Sequence, residues 1–151
     1  MTATLDAPYP PDDVFVWVAD LDRYPDWLDI VPRATADGID TWIVVLRGRL
    51  GPLARSKRLR MRRVVLDAPR LVRFERDERD GRHHAPWVLE AEVEAMGEGG
   101  SRLTMQLHYG GSLFGPVLER VLGDEIERSR GRLLDRLAAT PSEPPNDRSG
   151  D

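Results

Sequence analysis

The sequence predicts an α+β domain in which an antiparallel meander of about six to seven strands lays one apolar face on a single long C-terminal helix. Three observations carry that reading. Apolar residues recur with a period of two between Trp42 and Tyr109. Short turn signals separate these alternating runs. After Gly110-Gly111 the period becomes that of a helix. A one-faced sheet has to cover its apolar side, and a long amphipathic helix is the available cover.

The elements follow in order. Thr2–Ala7 is a short strand stopped by Pro8, Pro10 and Pro11. Pro11 suits a first helical position, with Asp12 and Asp13 at the positive end of the helix dipole, and a short helix follows over Val14–Ala19. Leu21–Ile30 reads as a second short helix, interrupted by Pro25 and closed by Pro32. Asp37-Gly38 marks a turn. Trp42, Val44 and Leu46 then share one strand face, continued after the Gly51-Pro52 loop by Leu59 and Met61. Val72 and Phe74 follow, then Trp87, Leu89, Ala91 and Val93, then Leu103, Met105, Leu107 and Tyr109. Asp67-Ala68-Pro69-Arg70, Asp80-Gly81 and Gly97-Glu98-Gly99-Gly100 supply the turns. Phe114, Val117, Leu118, Val121, Leu122, Ile126, Leu133 and Leu137 form the helical stripe, with Ser112 as its N-cap and Pro116 in its first turn.

Composition bounds the function. At 151 residues the chain fits one domain with a real core, assigned to residues 1–140; proline-rich, polar 141–151 reads as a disordered tail. The absence of cysteine excludes disulfides, thiolate catalysis and Cys-based zinc sites. A net charge of −4 argues against general nucleic-acid binding, DNA included. Lys57 is the lone lysine and the other basic residues are arginines, which reads as compositional bias. The N-terminus lacks the pattern of a signal peptide, and no apolar run nears the roughly 20 residues of a membrane span, so a cytoplasmic location is expected.

The run Pro11-Asp-Asp-Val-Phe-Val-Trp-Val-Ala-Asp20-Leu-Asp-Arg-Tyr24-Pro25-Asp-Trp27-Leu28 resembles the opening of the START-like superfamily often called SRPBCC. It looks most like the polyketide cyclase/dehydrase and coenzyme-Q-binding branches, where a similar Asp-x-x-x-Tyr-Pro-x-aromatic-Leu run joins two short helices. Element order over residues 2–139 is similar too. The resemblance implies a helix-grip fold: a curved sheet gripping the C-terminal helix, with a deep cavity between them. Such proteins bind lipids, quinones, hormones or polyketides, and a minority are enzymes. Tyr24, Pro25 and Trp27 are expected to pack the helical corner against the sheet.

Polar residues at interior positions mark where a ligand would be held. With about 100° between successive residues, Glu125 and Ser129 fall within the apolar stripe of the C-terminal helix. A buried carboxylate costs several kcal/mol unless paired or wetted. A hairpin closed by Leu66 and Leu71 sets Met61 opposite Arg76 and Arg63 opposite Phe74, placing both arginines inward. A turn at Gly81-Arg82 sets Arg76 opposite Trp87. Arg63 is the weaker candidate, since a bulge would turn it outward. The alternative is that these residues sit at the rim, or that Arg76 and Glu125 pair structurally.

Three functions remain open. The first is binding of a hydrophobic lipid, quinone or polyketide-like molecule. Met61, Phe74, Trp87, Leu89, Met105, Leu107, Leu118 and Leu122 would form the walls, and Arg76, Glu125 and Ser129 would orient the polar end. The second is a cyclase/aromatase-type enzyme, with Arg76 polarising a carbonyl and Glu125 moving a proton. The third is an RNA, ribosome or protein interaction module using the basic run Arg55–Arg63. Against that third reading, Arg62 falls opposite Glu75, Arg60 opposite Asp77, Arg73 opposite Glu90 and Arg102 opposite Glu94, a neutralised outer face. His83 and His84 face opposite ways beside Asp80, and His108 points outward, so no metal site and no cofactor is expected. No G-x-S-x-G elbow, H-E-x-x-H, Walker loop or dinucleotide fingerprint is present. Outward Ile43 and Val45 leave room for a homodimer as well as a monomer.

Overall fold

The computed structural model describes residues 2–47, 56–110 and 115–139, with the side chains of the last segment described from residue 120 onward. The expected Gly51-Pro52 loop, Ser112 cap, Phe114, Val117 and Leu118 side chains, and 141–151 tail lie outside the described residues.

Strands β1 (Thr2–Ala7), β2 (Arg33–Ala36), β3 (Thr41–Leu46), β4 (Lys57–Asp67), β5 (Leu71–Arg76), β6 (Trp87–Met96) and β7 (Gly100–Tyr109) form one sheet in the order β1-β7-β6-β5-β4-β3-β2. Every neighbouring pair is antiparallel. Consecutive hairpins build β2 to β7, and β1 returns to the open edge of β7. Alternation decides which side chains go inward. Ala3 and Leu5, Trp42 and Val44, Leu59 and Met61, Val72 and Phe74, and Leu103 and Met105 are all buried on the same face. The short edge strand β2 was not anticipated, because Arg33-Ala-Thr-Ala36 carries no apolar alternation.

Helix α1 is Pro11–Phe15, which starts at Pro11 and overlaps the expected Val14–Ala19 span at Val14 and Phe15. A 3-10 helix, Leu21–Asp26, replaces the expected Leu21–Ile30 helix. Pro25 within it has no N–H to donate, which limits helical continuation. The long C-terminal helix is present as α2 (Gly115–Arg128) and α3 (Arg130–Ala139), with a break at Ser129. There the Ser129 hydroxyl donates to the Glu125 carbonyl one turn back at 2.8 Å. That carbonyl also accepts from the Ser129 N–H at 3.1 Å, so side chain and backbone share one acceptor at the break.

The α1 to 3-10 corner is an aromatic knot. Tyr24 donates its hydroxyl to the Val18 carbonyl at 3.0 Å, and Trp27 donates Nε1 to the Trp17 carbonyl at 2.9 Å. Both rings are fully buried. Phe74 meets Tyr24 and Trp42 edge-on, at 6.3 and 5.6 Å between ring centroids. Arg63 fastens this corner to the sheet. Its guanidinium lies 5.2 Å from the Trp42 ring centroid and donates to the Ala19 carbonyl at 2.7 Å, to Asp20 at 2.6 Å and to Asp40 at 2.5 Å. Arg132 and Arg136 tie α3 to the same corner through Asp29 and the Asp26 carbonyl.

Met61 is indeed opposite Arg76, and Arg63 opposite Phe74. The hairpin that sets them so is closed one residue away from the expected place, by Asp67 and Leu71, and a bulge between Arg63 and Val65 restores the register. Arg63 lies before the bulge, so it stays inward and serves the corner. The anticipated outer-face pairs are in place: Arg60 meets Asp77 at 3.2 Å, Arg73 meets Glu90 at 3.5 Å, Arg62 lies opposite Glu75 and Arg102 opposite Glu94.

Replacing Arg63 by Met should cost about 1–3 kcal/mol in urea unfolding, because one carbonyl and two carboxylates lose a charged donor. Arg63→Lys should recover only part of this, since an ammonium cannot span three acceptors in one plane. An Arg63→Met change below about 0.5 kcal/mol would mean that the corner holds without it.

Candidate functional site

Helix α2 packs on β1 and β7, while the 3-10 helix packs on β2 and β3. Helix α1 meets β6 and β7, and a cavity occupies part of the inward face between these covers. Its walls come from each layer: Leu21, Tyr24, Leu28, Ile30 and Val31 from the corner; Val44 and Leu46 from β3; Leu59 and Met61 from β4. Trp87 and Leu89 of β6, Met105 and Leu107 of β7, and Leu122 and Ile126 of α2 complete it. The space open to the centre of a water-sized sphere is about 50 Å³. That is room for a few waters, and well short of the roughly 300–1,000 Å³ of a drug-sized pocket.

The lining is apolar. Tyr24 turns its hydroxyl away, into its bond with the Val18 carbonyl, and burial pushes its pKa up. Trp87, 2% exposed, is the exception in chemistry: its Nε1 is buried and has no hydrogen-bond partner among the described residues. The Trp87 ring lies 4.6 Å from that of Tyr109, measured between centroids. The Lys57 ammonium sits 5.7 Å from the first ring and 5.4 Å from the second, within the range of cation–π attraction. Lys57 shares a strand face with Leu59 and Met61 by the two-residue period, so it stands at the end of a row of cavity-lining side chains.

Of the residues expected to contact a ligand, Met61, Trp87, Leu89, Met105, Leu107 and Leu122 line this cavity. Phe74 does not; it is locked between Tyr24 and Trp42 beneath the corner. Leu118 lies outside the described side chains. The polar candidates are held elsewhere. Arg76 donates to Glu78 at 3.0 Å and to the Ala85 carbonyl at 3.3 Å, at the end of β5. Glu125 is buried, 7% exposed, and accepts from Arg128 at 3.1 Å. No ion pair joins Arg76 to Glu125, and neither lines the cavity. The Ser129 hydroxyl is engaged by the helix backbone.

Several wall residues lay outside the expected set. Val44, Leu46 and Leu59 were legible as inward by alternation. Leu21, Leu28, Ile30 and Val31 come from the irregular corner, where no period exists to point them inward. His84 pairs with Asp80 at 2.8 Å, and among the described residues no group of His, Asp and Glu is arranged to hold a metal ion. No described helix is long and apolar enough to cross a membrane.

The sequence profile of the family described as "Polyketide cyclase / dehydrase and lipid transport" matches residues 1–140. No curated protein sequence is significantly similar to the chain. Among solved structures, a START superfamily protein from Mycobacterium smegmatis superposes with a TM-score of 0.70 at 14% identity, over 92% of this chain and 97% of that one. A protein from Thermus thermophilus gives 0.72 at 19% identity, covering 94% and 99%. The Zhui aromatase/cyclase from Streptomyces sp. R1128 gives 0.65 at 15% identity, covering 91% and 92%. At these identities the likeness is one of fold, the START-like helix grip.

A void of this kind should accept one more methyl group. Val44→Ile is expected to raise stability by about 0.5–1 kcal/mol, read from thermal or urea unfolding. A loss of about 1 kcal/mol or more would indicate an already filled interior.

Proposed function

The chain belongs to the polyketide cyclase/dehydrase and lipid transport family of the START/SRPBCC superfamily, and we propose that it binds a hydrophobic small molecule, of lipid, quinone or polyketide-like character, in the cavity between sheet and α2. The observation that carries this reading is the apolar lining contributed by the corner, four strands and α2 together. A dry apolar space offers water no partners, whereas an apolar guest gains about 25 cal/mol for each Å² it removes from water.

The size of the cavity makes widening part of binding. Met61 and Met105 are flexible, unbranched walls that re-pack at low cost, and α2 is a separate cover over β1 and β7. Ligand binding therefore selects a wider arrangement than the closed one, and only an interaction stronger in the wide state can drive the shift.

A cyclase-type reaction would need an acid or base within hydrogen-bond reach of the guest. Arg76 and Glu125, the pair expected for it, are engaged by Glu78 and Arg128 away from the lining, so binding without turnover is the better-supported reading.

Native mass spectrometry of the purified chain, followed by organic extraction, should reveal a discrete apolar adduct, or else uptake of an environment-sensitive hydrophobic dye. Val44→Phe, which fills the cavity, should abolish that uptake while the chain stays folded. A chain that carries no adduct and takes up no dye would remove the proposal.

A further inference from the structure

We infer that the guest is an amphiphilic carboxylic acid, its apolar body in the cavity and its carboxylate at the Lys57 end, where Lys57 Nζ and Trp87 Nε1 have no acceptor among the described residues. The inference rests on the hydrophobic-ligand reading and narrows it to one charge type.

Four inward rows end together at this end of the sheet. Lys57 follows from Leu59 and Met61 on β4, Arg76 from Val72 and Phe74 on β5, Trp87 from Leu89 on β6, and Tyr109 from Met105 and Leu107 on β7. Leu46, a cavity wall, lies directly across from Lys57 on β3. Beyond the cavity lining, this end of the sheet therefore carries two cations, Lys57 and Arg76. Arg76 has its own carboxylate, Glu78. Lys57 has none among the described residues; its ammonium is held over the faces of Trp87 and Tyr109.

Burial, and then the charge of Arg76, hold the Lys57 ammonium below its ordinary pKa. An ammonium so placed gains from a neighbouring anion, whose charge favours the protonated form against both effects. A neutral guest would leave the charge as it is, and a cationic guest would add to it.

The second observation is independent of charge. Trp87 Nε1 is a buried indole donor on the cavity wall with no acceptor among the described residues, and an indole N–H can only donate. Buried donors are as a rule satisfied. A carboxylate offers several lone pairs, enough for a charge-assisted bond to the ammonium and another to the indole.

The test compares decanoate with 1-decanol by titration calorimetry on the full chain. Without Lys57 the alcohol should bind better, because a carboxylate is costlier to take out of water. The expected result is that decanoate binds about tenfold or more tightly than 1-decanol. In Lys57→Met the preference should vanish or reverse, while 1-decanol keeps its affinity within about threefold, which also reports that the variant is folded. Equal or tighter binding of 1-decanol to the unaltered chain overturns the inference and leaves the hydrophobic-ligand reading standing. So does a preference for the acid that survives Lys57→Met. Binding of neither probe overturns both.

Discussion

A seven-stranded sheet with one apolar face presents more hydrophobic surface than a single helix can cover, and this mismatch organises the molecule. Helix α2 lies over β1 and β7 at one side, and the 3-10 corner lies over β2 and β3 at the other. Between them, where α1 meets β6 and β7 and Tyr24 meets Phe74, the inward-facing surface is only partly covered. Side chains from both covers lean across the gap and narrow it to the small cavity, but none fills it. The site is thus a consequence of the covering problem, which locates it without any specialised motif.

Polar groups in such an interior must be satisfied or excluded, and the structure does both. The buried hydroxyls of Thr41, Ser101 and Ser129 donate to the carbonyls of Asp37, Tyr9 and Glu125. The Tyr24 hydroxyl and the Trp27 and Trp42 indoles are likewise partnered, by Val18, Trp17 and Asp22. Arg63 carries its charge to the rim, where Asp20 and Asp40 meet it. Against that background two buried indoles, Trp17 and Trp87, have no acceptor among the described residues, and of the two Trp87 is the one on the cavity wall. The Lys57 ammonium rests on aromatic faces instead of a described carboxylate.

The sheet was largely legible because alternation is a one-dimensional signal. Trp42, Val44 and Leu46, or Leu103, Met105 and Leu107, declare their face within a few residues. The register between β4 and β5 was reached by two offsetting departures: the turn closes at Asp67 and Leu71, and the bulge after Arg63 takes up the difference. Bulges leave no mark in a hydrophobic pattern. Glu125 and Ser129 were rightly placed on the buried stripe of the helix, but a helical wheel reports direction and not depth, and the stripe is wider than the cavity. Ser129 also had a local use, bonding its own backbone, that a wheel cannot show. Lys57 escaped notice because a polar residue ending an apolar row resembles an ordinary strand terminus. Its meaning depends on Trp87 and Tyr109, brought beside it by strands far along the chain.

The interrupted C-terminal helix is fastened unevenly. Arg132 and Arg136 tie α3 to the corner through Asp29 and the Asp26 carbonyl, and Arg130 binds the Asp6 carbonyl of the edge strand at 2.9 Å. Ser129 lies immediately before those anchors. The tail of the helix is thus riveted to both sides of the sheet's cover, whereas α2 rests on β1 and β7 by packing.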